Sequence, residues 1–116
     1  MKVLIVDDSE EMRTLLVDYL PAEADEVHQC ADGVEACSAF KAILPDWVLM
    51  DHQMPRMNGI AAIRKIVAEF PKAKICVVTA FDEEELRLEA LSAGAAGFVA
   101  KSRLFELETI LRKGTD

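Results

Sequence analysis

The sequence predicts an α/β domain in which a parallel sheet is covered by helices on both faces. Short apolar runs alternate with longer stretches of helical periodicity from one end of the chain to the other, the pattern of repeated βα units. The chain has 116 residues, enough for one hydrophobic core and too few for two ordinary domains.

Five βα units can be read in order. The first strand, β1, is expected over Val3 to Val6 and ends in Asp7 and Asp8. In α1, Met12, Leu15, Leu16, Tyr19 and Leu20 recur at helical spacing until Pro21 stops the pattern. The second strand, β2, covers Val27 to Cys30 and is polar enough to suit a sheet edge. Asp32 with Glu35 reads as a capping box opening α2, which Pro45 closes. Trp47 to Met50 form β3, which runs into Asp51; the loop MPRMNG follows, then α3 with Ile60, Ile63, Val67 and Phe70 turned inward as far as Pro71. Ile75 to Val78 form β4, ending at Thr79. A second capping box, Asp82 with Glu85, is expected to open α4, and Gly94 to end it. Gly97 to Ala100 form β5, ending at Lys101, and Leu104, Leu107 and Leu111 mark α5. No linker, repeat or low-complexity stretch interrupts the series, so residues 1–116 are expected to form one domain with no output domain beside it.

Composition narrows the function. Hydrophobic residues make up 52% and charged residues 29%, as in a globular chain. The formal charge of -8 argues against direct binding to nucleic acid or to an anionic membrane and favours a basic partner surface or a cation. No apolar run approaches the roughly 18 to 20 residues of a membrane span. Cys30, Cys37 and Cys76 show no CxxC spacing and the chain opens without a signal-like segment, which points to reduced thiols in the cytoplasm.

In an open doubly wound sheet, ligands bind beyond the carboxyl ends of the strands, where strand order reverses. Four strands end in residues able to do chemistry: Asp7 and Asp8 after β1, Asp51 after β3, Thr79 after β4 and Lys101 after β5. Singly, each has a plainer reading. Asp8 could cap a helix with Glu11, Thr79 could be an ordinary β-branched strand residue, and Lys101 a solvated end. Together they do not, because three carboxylates at one sheet edge repel one another unless a cation or protons neutralise them. Oxygen ligands without Cys or His favour a hard cation, and a site keeping positions for water and a phosphoryl group favours Mg²⁺ over Ca²⁺. An aspartate can act as nucleophile toward phosphorus, with the Thr79 hydroxyl and the Lys101 ammonium stabilising the transferred group.

The paired acids Asp7 and Asp8, the segment DHQMPRMNG from Asp51, the pair Thr79-Ala80 and the ending Phe98-Val99-Ala100-Lys101 resemble a response-regulator receiver domain over nearly the whole chain. The resemblance implies a flavodoxin-like five-stranded sheet of order 2-1-3-4-5 with five helices, and phosphoryl transfer from the phosphohistidine of a sensor histidine kinase or phosphotransfer protein to Asp51. It implies Mg²⁺ held by Asp8, Asp51 and the backbone carbonyl of Gln53, with Asp7 acting largely through metal-bound water. Lys101 and Thr79 would bind the phosphoryl oxygens. Thr79 and Phe98 would act as the switch that remakes the α4-β5-α5 face for a downstream protein or the regulator's own output domain, and a homodimer is compatible with this. Gln53 and Phe81 would tune hydrolysis of the acyl phosphate, and bulky Phe81 is expected to slow it.

The chain departs from the family in one place: Ser102 follows Lys101 where proline, often behind a cis bond, is common. Other features carry no assigned chemistry. Asp82 to Glu85 and Glu89 read as a solvated helix face, His28 and His52 lack partners at metal spacing, and the cysteines read as small core residues. Three other functions compete with this reading. A haloacid-dehalogenase-type phosphatase needs a second aspartate where Gln53 stands. A flavin- or nucleotide-binding module needs a phosphate cradle where DDSEE follows β1. A receiver-like module that is never phosphorylated stays compatible with the fold, although every expected site residue is present.

Overall fold

The computed structural model describes residues 1–113. Five parallel strands, β1 (Lys2–Val6), β2 (Glu26–Cys30), β3 (Trp47–Asp51), β4 (Ile75–Thr79) and β5 (Gly97–Ala100), form one sheet in the order β2-β1-β3-β4-β5. Five helices connect and follow them: α1 (Glu10–Asp18), α2 (Gly33–Ile43), α3 (Gly59–Glu69), α4 (Glu84–Ala93) and α5 (Leu107–Lys113). This is the flavodoxin-like arrangement expected from the sequence.

Strand periodicity of two sends alternate side chains to opposite faces, and both faces are buried. Leu4, Val6, Val48, Met50, Ile75 and Val77 face α2, α3 and α4, where they meet Ala36, Phe40, Ile60, Ile63 and Ala90. Val3, Ile5, Trp47, Leu49, Cys76, Val78 and Val99 face the other way, against Leu16 of α1 and Leu107 and Leu111 of α5. Each such side chain withdrawn fully from water contributes about 1.5–3 kcal/mol. The edge strand β2 is only partly covered, which its polar sequence anticipates.

Helix ends follow local chemistry, with some departures from the sequence reading. The Asp32 carboxylate accepts from the Glu35 N–H (2.9 Å), and Glu35 Oε2 accepts from the Ala31 N–H (2.8 Å), so that box forms one residue wider than the ideal. The expected Asp82–Glu85 box does not form: α4 starts at Glu84 behind Glu83, which makes no side-chain cap bond. Gly94 ends α4 at φ 113°. In α3 the fully buried stripe is Ile60, Ile63 and Ile66, whereas Val67 and Phe70 are only partly covered. A 3-10 turn over Lys101–Glu106, broken at Arg103, precedes α5, so Leu104 lies in that turn and not in the helix. The Lys101–Ser102 bond is trans.

Candidate functional site

Sheet register assembles the site. Val6 pairs with Met50, so Asp7 and Asp51, each one residue further on, stand side by side where strand order reverses between β1 and β3. Asp51 pairs with Val78 and Thr79 with Ala100, which brings Thr79 and Lys101 to the same edge from β4 and β5. Asp8, Asp51, Gln53, Thr79, Phe81 and Lys101 line a cleft of about 490 Å³. Asp7 lies beneath it. Phe98 is elsewhere, half-buried in a second groove of about 580 Å³ that it shares with Arg87 of α4 and with Thr109 and Ile110 of α5.

Asp7 is held from several sides. Its N–H extends the β1–β2 ladder to the Cys30 carbonyl (3.2 Å), and its own carbonyl accepts from Arg13 Nη1 (2.7 Å). Oδ1 accepts from the Ser9 N–H (2.9 Å), while Oδ2, fully buried, is met by the Lys101 ammonium at 3.1 Å. The same ammonium lies 3.2 Å from Asp51 Oδ1. Burial pushes the Asp51 pKa up, the Asp7 charge adds to this, and the Lys101 ammonium offsets part of it. Burial works against the charge of Lys101, but its hydrogen bond to Asp7 and the fields of Asp51 and Asp7 outweigh that and leave its pKa raised.

Asp8 does not cap α1. Ser9 does, its hydroxyl accepting from the Met12 N–H (3.2 Å), which leaves Asp8 exposed and beside the other two acids. Carboxylate oxygens of Asp7, Asp8 and Asp51 all lie within 4.8 Å of one another, close enough for one cation to bridge. One ammonium against three carboxylates leaves a net negative pocket. The donor set is all oxygen, which fits a hard divalent cation such as Mg²⁺.

Close packing fixes Asp51 from below. A Cβ on Gly59 would run into the Asp51 carbonyl oxygen, and the Gly59 N–H donates to the His52 carbonyl (2.9 Å), so α3 begins hard against the end of β3. Thr79 is almost fully buried, and its Oγ1 accepts from the Phe81 N–H at 3.1 Å. The Phe81 ring, 40% exposed at the cleft mouth, meets His52 edge-on at 6.2 Å. Sequence reading missed the Arg13 and Ser9 contacts to Asp7 and an ion pair between Arg56 and Asp32, in which Nη2 lies 2.6 Å from Oδ2. The one local signal for that pair was an arginine in the loop after Asp51 of an acidic chain.

Comparison with known proteins agrees with this geometry. A profile of the response regulator receiver domain matches residues 3–112. The chain is 43% identical over 101 residues to chemotaxis protein CheY of Thermotoga maritima, covering 86% of this chain and 84% of that protein. It is 38% identical over 103 residues to the uncharacterized transcriptional regulatory protein YhcZ of Bacillus subtilis, covering 87% of this chain and 48% of that protein. Among solved structures, the CheX-CheY-BeF3-Mg²⁺ complex from Borrelia burgdorferi superimposes with a TM-score of 0.81 at 32% identity, covering 87% of this chain and 78% of that one.

Proposed function

Because the chain belongs to the response regulator receiver domain family, we propose that it is a phosphorylation-dependent signalling switch in which Asp51 takes a phosphoryl group from the phosphohistidine of a sensor kinase or phosphotransfer protein. The observation that carries this reading is the convergence of Asp7, Asp8 and Asp51 on one edge with the Lys101 ammonium lying between two of them. A carboxylate oxygen of Asp51 attacks phosphorus as the bond to the imidazole nitrogen breaks, and the imidazole leaves with the electron pair. Lys101 and the Thr79 hydroxyl then face the new phosphoryl oxygens.

Asp8, Asp51 and the Gln53 backbone carbonyl would hold Mg²⁺, with Asp7 acting through water, and the ion when bound supplies charge neutralisation for the phosphoryl group. A phosphoryl group adds about -1.5 to -2 charges. The Thr79 hydroxyl, which accepts from the Phe81 N–H, keeps its own proton to donate to a phosphoryl oxygen, and the movement that makes this bond carries the change toward Phe98 and the α4-β5-α5 face. The partner there is a downstream protein or an output domain of the regulator itself. The chain's residues 1–116 act as one receiver unit, in the cytoplasm, where phosphohistidine donors are made.

The test is phosphotransfer from a phosphorylated histidine kinase, followed by hydroxylamine treatment. The expected product is a labelled, hydroxylamine-labile chain that Asp51→Asn cannot form. Label that survives hydroxylamine, or appears equally on Asp51→Asn, contradicts the assignment.

A further inference from the structure

The loop from His52 to Asn58 carries Gln53 past the carboxylates, and its far side is tied to the turn between β2 and α2. Arg56 turns both Nε (3.0 Å) and Nη2 (2.6 Å) onto Oδ2 of Asp32, whose other oxygen caps α2. The backbones meet at the same place: a Cβ on Gly33 would lie 2.6 Å from the Met57 carbonyl oxygen. Arg56 also sits at φ 65°, inside a three-residue turn closed by the Met57 N–H to the Pro55 carbonyl (2.7 Å). A non-glycine residue in such a γ-turn is strained, and strain of this kind persists where the surroundings over-determine it. Glycine or asparagine would fill the turn at lower cost, so arginine here is accounted for by what its side chain reaches.

We propose that the Arg56–Asp32 ion pair is a positioning clasp for the cation site: it fixes the loop after Asp51 so that the Gln53 segment is held in place before a cation arrives. The inference rests on the reading of Asp8, Asp51 and Gln53 as cation ligands. Groups that orient metal ligands directly change affinity by roughly 10–100-fold. The clasp acts through the loop, so a smaller effect follows, roughly 3- to 10-fold.

The test is calorimetric titration of the unphosphorylated full chain with Mg²⁺, for wild type, Arg56→Gln, Arg56→Gly, Arg56→Lys, Asp32→Asn and the double variant Arg56→Gln/Asp32→Asn. Asn keeps the cap of α2 while removing the charge, and Gly releases the positive φ so that fold stability is retained. The expected result is a dissociation constant raised roughly 3- to 10-fold in Arg56→Gln, Arg56→Gly and Asp32→Asn, no further loss in the double variant, and partial recovery in Arg56→Lys. Arg56→Gly should show this with a melting temperature close to wild type, which a merely structural contact would not produce. Folded Arg56→Gln and Asp32→Asn with wild-type Mg²⁺ affinity overturn the clasp while leaving the cation site intact. If wild type shows no saturable Mg²⁺ binding that depends on Asp8, the cation site fails and the clasp with it.

Discussion

Neutralising Asp51 should stabilise the protein in the absence of divalent cations, although it removes one half of a buried ion contact. Asp51 Oδ1 is 3.2 Å from Lys101 Nζ and within 4.8 Å of an Asp7 oxygen. At an effective dielectric constant of about 20 these separations correspond to about 5 kcal/mol of attraction and about 3.5 kcal/mol of repulsion. Exposed Asp8 adds about 1 kcal/mol of repulsion, and taking the carboxylate out of water costs about 2 kcal/mol or more. The opposing effects exceed the attraction by about 1 kcal/mol, in line with the raised pKa of Asp51. Lys101 keeps Asp7 as a partner when Asp51 is replaced.

Asp51→Asn should therefore melt about 3–6 °C above wild type at pH 7 in EDTA, given the unfolding entropy of a chain this long. The pH dependence has a definite sign. A carboxyl whose pKa is raised by folding binds its proton more tightly in the folded state, so wild type loses stability as pH rises from the ordinary aspartate range through the folded value. The advantage of Asp51→Asn should be full above that window and vanish below about pH 4. Added Mg²⁺ at ten times its dissociation constant stabilises wild type by about 1.4 kcal/mol, which should close the gap. Differential scanning calorimetry across pH, with and without Mg²⁺, reads all of this. An Asp51→Asn protein less stable than wild type in EDTA at pH 7, or an advantage that persists at low pH, refutes the electrostatic account.

Three other outcomes follow from contacts already described. Because Ser9 and not Asp8 caps α1, Asp8→Asn should raise the melting temperature in EDTA by roughly 3–5 °C, since about 1 kcal/mol of repulsion on Asp51 is removed, yet abolish the stabilisation by Mg²⁺; a loss of stability typical of a missing cap, about 1 kcal/mol, would restore the capping role. Gly59→Ala should cost about 1–3 kcal/mol in urea unfolding, since a Cβ there collides with the Asp51 carbonyl, and a neutral effect would mean the β3–α3 junction yields freely. Phe81→Ala should shorten the lifetime of the phosphorylated form by opening the cleft mouth to water, and a lifetime unchanged or lengthened speaks against shielding.

The sheet and the strand-end residues were legible in the sequence because both arise from local patterns. Buried parallel strands read as apolar runs, and Asp7, Asp51, Thr79 and Lys101 stand where those runs stop, so strand order alone brings them together. The entry to α5 was not legible. Leu104 and Leu107 are three residues apart, a spacing shared by 3-10 and α geometry, so periodicity cannot locate the change between them. The start of α4 was misplaced for a related reason: Asp-x-x-Glu fits a capping box locally, but the chain leaving Thr79 decides where the helix begins. Which residue caps α1 depends on a competition between Asp8 and its neighbour Ser9, which only the backbone path resolves. The Arg56–Asp32 pair joins residues 24 apart in sequence, and no local pattern encodes such a contact.

The central claim is that Asp51 forms an acyl phosphate with the help of a divalent cation. Intact mass spectrometry of wild type and Asp51→Ala after incubation with acetyl phosphate, each with and without Mg²⁺, tests it most directly. The account predicts a gain of one phosphoryl group by wild type with Mg²⁺ and by neither the variant nor the metal-free protein. Folded wild type that gains nothing under any condition, or a gain that survives in Asp51→Ala, would contradict it.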